Sequence, residues 1–275
     1  MSEPHRVGSY EMSAIGNLRG GAGLVLAGLA GVAGAAWFYL ATGAGLASAM
    51  RGMDMTGGGM MSMAPAWTPG YAALMLGMWA VMMTAMMLPS AAPAVLRMAA
   101  QAGSGHGDAV GGLGRATRFA AGYLAIWAGF GAAATVLQRA LDSAHLLSEA
   151  MALRNAALAG LVVAAVGVYQ LTPLKRACLE RCSALEGCLA NVEARRPQDT
   201  VRAGLRYGVS CLGCCAALMG LLFVGGLMSI VWVAAIAVWV LAEKTLPWGG
   251  RLARFGGAWL IAGGATVFAI ALAHA

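Results

Sequence analysis

Charge is scarce in this sequence. Asp, Glu, Lys and Arg together make up 11% of its 275 residues, against 60% hydrophobic ones, too little polar surface to cover a water-soluble domain of that size. No carboxylate sits in the middle of a long apolar run, which argues against a proton-relay antiporter of the acidic type. None of the four histidines (His5, His106, His145, His274) lies in such a run, so the usual axial ligands of a membrane haem are missing. Gly-rich phosphate loops and Ser/His/Asp patterns are absent too. Neither haem nor nucleotide is expected as a cofactor, and the chain is not expected to be an enzyme.

What is present is apolar sequence in long runs, at residues 21–42, 68–89, 117–138, 156–173, 206–227, 229–246 and 256–273. Each is near the ~20 residues that cross a hydrocarbon core. The expected fold is all-α, a polytopic membrane bundle of about seven transmembrane helices, with the lipid bilayer as its first partner. Forty glycines suit helices that must approach closely without a hydrophobic effect between them. Fifteen of the eighteen Lys and Arg residues fall in the N-terminal head and in alternate loops, leaving only Arg51, Arg139 and Arg154 on the opposite side. By the positive-inside rule the N-terminus is cytoplasmic and the C-terminus outside. The net charge of +7 is thus read as topology, and no nucleic acid is expected as a partner. Residues 1–20 form a cytoplasmic head and 21–275 a single transmembrane domain, with an outside loop at 43–66 and a cytoplasmic loop at 174–205. Ala47-Ser48-Ala49 resembles a cleavage site, but the run before it is longer than a signal-peptide core, so a retained anchor is expected.

Sulfur is the compositional oddity, with eighteen methionines and six cysteines. Met50, Met53, Met55, Met60, Met61 and Met63 fall within fourteen residues of the glycine-rich outside loop, where they have no core to fill. Along the second run, Met75, Met78, Met82 and Met86 recur at three- and four-residue steps on one helical face, with Met83 and Met87 in an adjacent row. Thioethers prefer Cu(I) and are poor ligands for Mg, Ca or Mn; plain packing also accounts for methionines at such spacing. All six cysteines lie toward the cytoplasmic side. Cys211, Cys214 and Cys215 share one face of the fifth helix, with Met219 one turn on, and Cys178 and Cys182 are four apart among basic residues that favour thiolate. Cysteine as a small buried hydrophobe is the bland reading. Five at helical spacing near one membrane face favour soft-metal ligation, with Cu(I) as the ion. Cys188 fits neither group.

Pro89, Pro173 and Pro247 each end a helix that runs from outside to inside. Each removes a backbone donor and frees the carbonyl four residues earlier, of Ala85, Tyr169 and Glu243. Freed carbonyls at membrane depth are tolerated around a wet cavity, so a polar vestibule is expected where Gln170, Thr172, Glu243 and Lys244 collect. Glu243 is a candidate metal ligand, or with Lys244 an ion pair or gate.

The strings MWAVMMTAMMLPS, YQLTPLKRACLERC, YGVSCLGCCAALMGLLFVGGLM and LAEKTLP together resemble a bacterial family of predicted metal-binding integral membrane proteins, over about residues 67 to 250. By that likeness Met82, Met83, Met86, Met87, Pro89, Cys178, Cys182, Cys211, Cys214, Cys215, Met228, Glu243 and Lys244 match the family pattern. Ala216 stands where a tryptophan is expected and Ser229 where an asparagine is. The resemblance implies metal binding and a bacterial inner membrane, multi-pass, but no reaction.

The leading expectation is a copper-handling membrane protein that captures Cu(I) at the outside methionine loop, passes it along the second helix and delivers it to cytoplasmic thiolates, which is uptake. The alternatives are a copper chaperone or assembly factor that loads a membrane cuproenzyme, and a membrane thiol oxidoreductase. The last needs cysteines on the oxidising side, where none is expected.

Overall fold

The computed structural model describes residues 21–43, 67–100, 109–148, 150–188 and 196–274. The head at 1–20, most of the methionine-rich loop (hence Met50, Met53, Met55, Met60, Met61 and Met63) and 189–195 of the cysteine-rich loop lie outside them.

The described residues form helices α1 (Gly21–Ala41), α2 (Pro69–Ala100), α3 (Ala109–Ser143), α4 (Ala156–Leu171), α5 (Pro173–Cys188), α6 (Pro197–Gly220), α7 (Leu222–Gly225), α8 (Ile230–Thr245) and α9 (Gly249–Ala273), with no strand among them. Among the described residues five stretches are long and apolar enough to cross a membrane: α1, α2, α3, α6 with α7, and α9. A sixth is α4 taken together with α5, bent by 62° at Pro173. The chain is therefore an all-helical membrane protein, though the expected seven spans are not all found as full-length helices. The run at 229–246 folds as α8, only 16 residues long, about 24 Å at 1.5 Å per residue and short of the hydrocarbon thickness.

Two further boundaries differ from expectation. The helix starting near residue 68 does not stop at Pro89 but continues through Pro89 and Pro93 to Ala100. Pro89 cannot donate to the Ala85 carbonyl, and the Trp37 indole of α1 supplies the missing donor at 3.0 Å. This replacement removes the reason for the helix to end there. Likewise α6 begins at Pro197, at the first turn where proline is tolerated, and the Asp199 carboxylate closes its N-terminus by accepting from the Arg196 backbone N–H at 3.0 Å. Much of the expected cytoplasmic loop is thus helix.

The sulfur-bearing helices are central. α2 packs against α1 and α3, α3 against α6, and α5 lies on α6. Between α3 and α6 the backbones nearly touch: a side chain at Gly204 would collide with the Phe119 carbonyl, and one at Gly122 with that of Val201. Residues without a Cβ are needed for that approach. On the periphery α9 packs along α4, while Phe255 and Trp259 face outward at 71% and 80% exposure, as expected of a surface covered by hydrocarbon. Ser229 caps α8, its hydroxyl accepting from the Trp232 N–H. Asparagine caps helices in the same way, so the Ser229 departure keeps the local chemistry.

Candidate metal centre

Cys211, Cys214 and Cys215 sit on the buried face of α6, their sulfurs all within 4.8 Å of one another. Each is at most 1% exposed. Spacings of three and four residues on an α-helix bring three thiols to one side, and here that side faces the bundle interior. The Cys214 and Cys215 sulfurs are 3.2 Å apart, and the Cys214 thiol also donates to the Cys211 carbonyl.

A fourth thiol arrives from a separate element. Cys182 on α5 is buried beside them, near enough to interact with the thiols of Cys211 and Cys214. The 62° bend at Thr172 and Pro173 turns α5 back across α6. Tyr169, at the end of α4, fastens the approach by donating its hydroxyl to the Gly213 carbonyl. Gly213 also leaves room for α5: a Cβ there would lie 2.8 Å from the Cys178 sulfur. Cys178 is thus half-buried at the edge of the cluster, and the described thiols are all free.

Polar groups surround Cys211. The Lys244 ammonium donates to the Cys211 sulfur at 3.4 Å, to the Tyr207 hydroxyl at 3.2 Å and to the Ser90 hydroxyl at 3.3 Å. An ammonium has three protons, and each finds an acceptor. Tyr123 on α3 contacts the Cys211 sulfur at 3.3 Å and donates to the Met87 carbonyl at 3.1 Å. Four helices therefore converge on one sulfur. The result is a buried, thiol-rich centre with the Lys244 ammonium beside it, a donor set that suits a soft, thiophilic monovalent metal and, among the described residues, contains no carboxylate or imidazole.

Other expected ligands are distributed differently. Met82, Met83, Met86 and Met87 are 0–1% exposed in the bundle core, and Met219 is buried one turn beyond Cys215. Met78 is half-buried. Glu243 is outside the thiol group: its carboxylate takes Lys175 at 2.5 Å, Gln170 at 2.9 Å and Trp239 at 2.7 Å. It does not pair with Lys244, as the sequence reading allowed, because neighbouring helical residues point to different faces. The expected vestibule is present as a cavity of 730 Å³, lined by Gln170, Thr172, Glu243 and Lys244 together with Arg176 and Arg251. Of the freed carbonyls, that of Ala85 is satisfied by Trp37 and that of Tyr169 by the Thr172 backbone and hydroxyl.

Sequence reasoning missed Tyr123, Tyr207 and Ser90. Tyr207 lies four residues before Cys211, hence on the same helical face, and that spacing was the available signal. Nothing local points to Tyr123, which meets the site only through the α3–α6 contact.

Fold and site together define a helical membrane protein with a buried multi-thiol centre of the kind that handles copper. The family model PpoB2, described as a copper chaperone, matches residues 76–267, and the chain belongs to that family. The matched region contains every thiol of the cluster, Tyr123 and Lys244; the methionine-rich loop precedes it. No curated protein and no solved structure matches the chain.

Proposed function

We propose that the protein is a Cu(I) carrier of a bacterial inner membrane, holding the ion on Cys211, Cys214 and Cys215 with Cys182 and passing it to a protein acceptor, a cytoplasmic copper chaperone or a membrane cuproenzyme. The observation that carries this reading is the closure of three buried thiols within 4.8 Å beside the Lys244 ammonium. Each thiol that ligates Cu(I) gives up its proton, so three thiolates around one monovalent ion leave an excess of negative charge. Lys244 offsets part of that excess. Carriage needs no catalytic group, and the protein is read as a binder rather than an enzyme.

Direction follows from ligand chemistry and charge. Thiolates hold Cu(I) more tightly than thioethers, and the basic residues place the cysteines toward the cytoplasm. Copper gathered by the outside methionines would run along Met78, Met82, Met83, Met86 and Met87 of α2 toward the thiols, so net movement is inward. The buried methionine column ending at the Met87 carbonyl, which shares the Tyr123 hydroxyl with Cys211, supports this path.

Elemental analysis of the purified protein and of its C211S/C214S/C215S variant tests the site. Stoichiometric copper in the first and its loss in the second is the expected result; equal copper in both, or none in either, returns these sulfurs to packing. Copper flux into proteoliposomes separates the two fates of the ion: flux means transmembrane uptake, whereas stable binding without flux means delivery within one leaflet.

A further inference from the structure

A second cavity, of 320 Å³, lies between the end of α1, the first half of α2 and the turn before α8. Four of its lining residues are methionines: Met75, Met78 and Met82 from α2, and Met228 from the turn. The remaining lining is aliphatic apart from Tyr39 and Thr42, and it includes no carboxylate, imidazole or charged side chain. Hard cations find no carboxylate there to replace their hydration shell. Four thioether side chains border it, and thioether sulfur is the neutral donor that suits a soft monovalent ion.

Packing alone is a poor account of this arrangement. Methionine is used in cores because its flexible chain fills irregular gaps, and interiors are normally close-packed. Here four methionines border a space that remains open. One of the sulfurs is also oriented from behind: the Gln138 amide N–H donates to the Met75 sulfur at 3.5 Å and to that of Met151 at 3.1 Å. Gln138 is in turn held by the Trp79 indole, which donates to its oxygen at 2.8 Å. Gln138 is only 2% exposed, so a buried polar network is committed to positioning a thioether. That sulfur keeps a second lone pair for a metal.

We propose that this chamber is a distinct Cu(I)-class binding site, formed by Met75, Met78, Met82 and Met228, that loads the thiol centre. The proposal rests on the reading that the chain carries Cu(I), and adds a discrete first station on the opposite half of α2. Met75 and Met87 are twelve residues apart, roughly 18 Å along a helix. Thioethers bind without losing a proton and without charge compensation, so the ion is held weakly and exchanges readily, as a loading site requires.

The probe is Ag(I), a redox-inert stand-in for Cu(I), titrated calorimetrically into the full-length protein in detergent. Wild type is expected to show a tight class and a weaker one, and M75L/M78L/M82L/M228L to lose one equivalent of the weaker class while keeping the tight one. Leucine conserves volume, and the retained tight class reports that the variant is folded. Unchanged stoichiometry and affinity in the variant overturns the proposal. A second measurement does without the quadruple variant: in methyl-labelled wild type, the ε-methyl resonances of these four residues, assigned through single Leu substitutions, should shift together once the tight class is filled. Static resonances would overturn the chamber even if the thiols bind metal. Conversely, shifted methyls with no tight class would overturn the thiol carrier and leave the chamber standing.

Discussion

The Lys244 ammonium lies 3.4 Å from the Cys211 sulfur, while Glu243, the next residue back, engages Lys175 on a different face of the same helix. Two adjacent residues of opposite charge thus serve two separate tasks. One compensates the thiol centre, and the other joins α8 to α5.

The first of these tasks predicts a loss of affinity in Lys244→Met. A hydrogen bond to a charged group is worth about 1.5–3 kcal/mol, and the ammonium also offsets charge on the metal-bound thiolates. Cu(I) affinity should fall on the order of ten- to a hundredfold, measured by competition with a chromophoric Cu(I) chelator. An unchanged dissociation constant would show that Lys244 serves the bundle rather than the ion.

The Lys175–Glu243 pair predicts strong non-additivity. Both partners are nearly fully buried, at 2% and 4% exposure, and removing one leaves an uncompensated buried charge, a cost of roughly 3–5 kcal/mol. Lys175→Met and Glu243→Leu should each lower the melting temperature in detergent sharply, while the double variant recovers most of the loss. Additive losses would mean that the two side chains act independently.

Cys182→Ser separates the α5 thiol from the α6 trio. Copper should still bind, with reduced affinity and one fewer sulfur neighbour by X-ray absorption if Cys182 is a ligand. An unchanged sulfur shell would place Cys182 as a hydrogen-bonding neighbour only.

Proton accounting gives a test of thiol ligation that needs no substitution. Every protonated thiol that becomes a copper ligand releases a proton, so Cu(I) affinity should rise with pH and fall as the solution is acidified. Calorimetry in buffers of different ionisation enthalpy reads the protons released. Release of none would exclude thiol ligation.

Close helix contact predicts sensitivity at Gly204. The methyl of Gly204→Ala would meet the Phe119 carbonyl and force α3 from α6, an overpacking cost of about 1–3 kcal/mol. The same displacement draws Tyr123 away from Cys211, so thermal stability and copper affinity should fall together.

Much of this was legible in the sequence because helical membrane proteins write their elements as apolar runs. The thiol trio was legible for the same reason, since spacings of three and four have one meaning on a helix. Pro89 misled because its usual effect was cancelled by Trp37, forty-eight residues from the Ala85 carbonyl that it serves, and no local pattern records such a donor. Lys244 misled in the opposite way: its neighbour Glu243 suggested a pair that the helical turn forbids. Cys182 and Cys178 were recognised as a pair, but their meeting with α6 depends on the bend at Pro173 and on the bare backbone at Gly213. Tyr123 left no trace, being a contact between helices distant in the chain.

The bend at Thr172 and Pro173 gives the donor set a seam. Three sulfurs ride on one uninterrupted helix, and the fourth rides on an arm beyond the joint. The angle of that joint therefore sets where Cys182 stands relative to the α6 trio, and the Lys175–Glu243 pair between α5 and α8 holds it there.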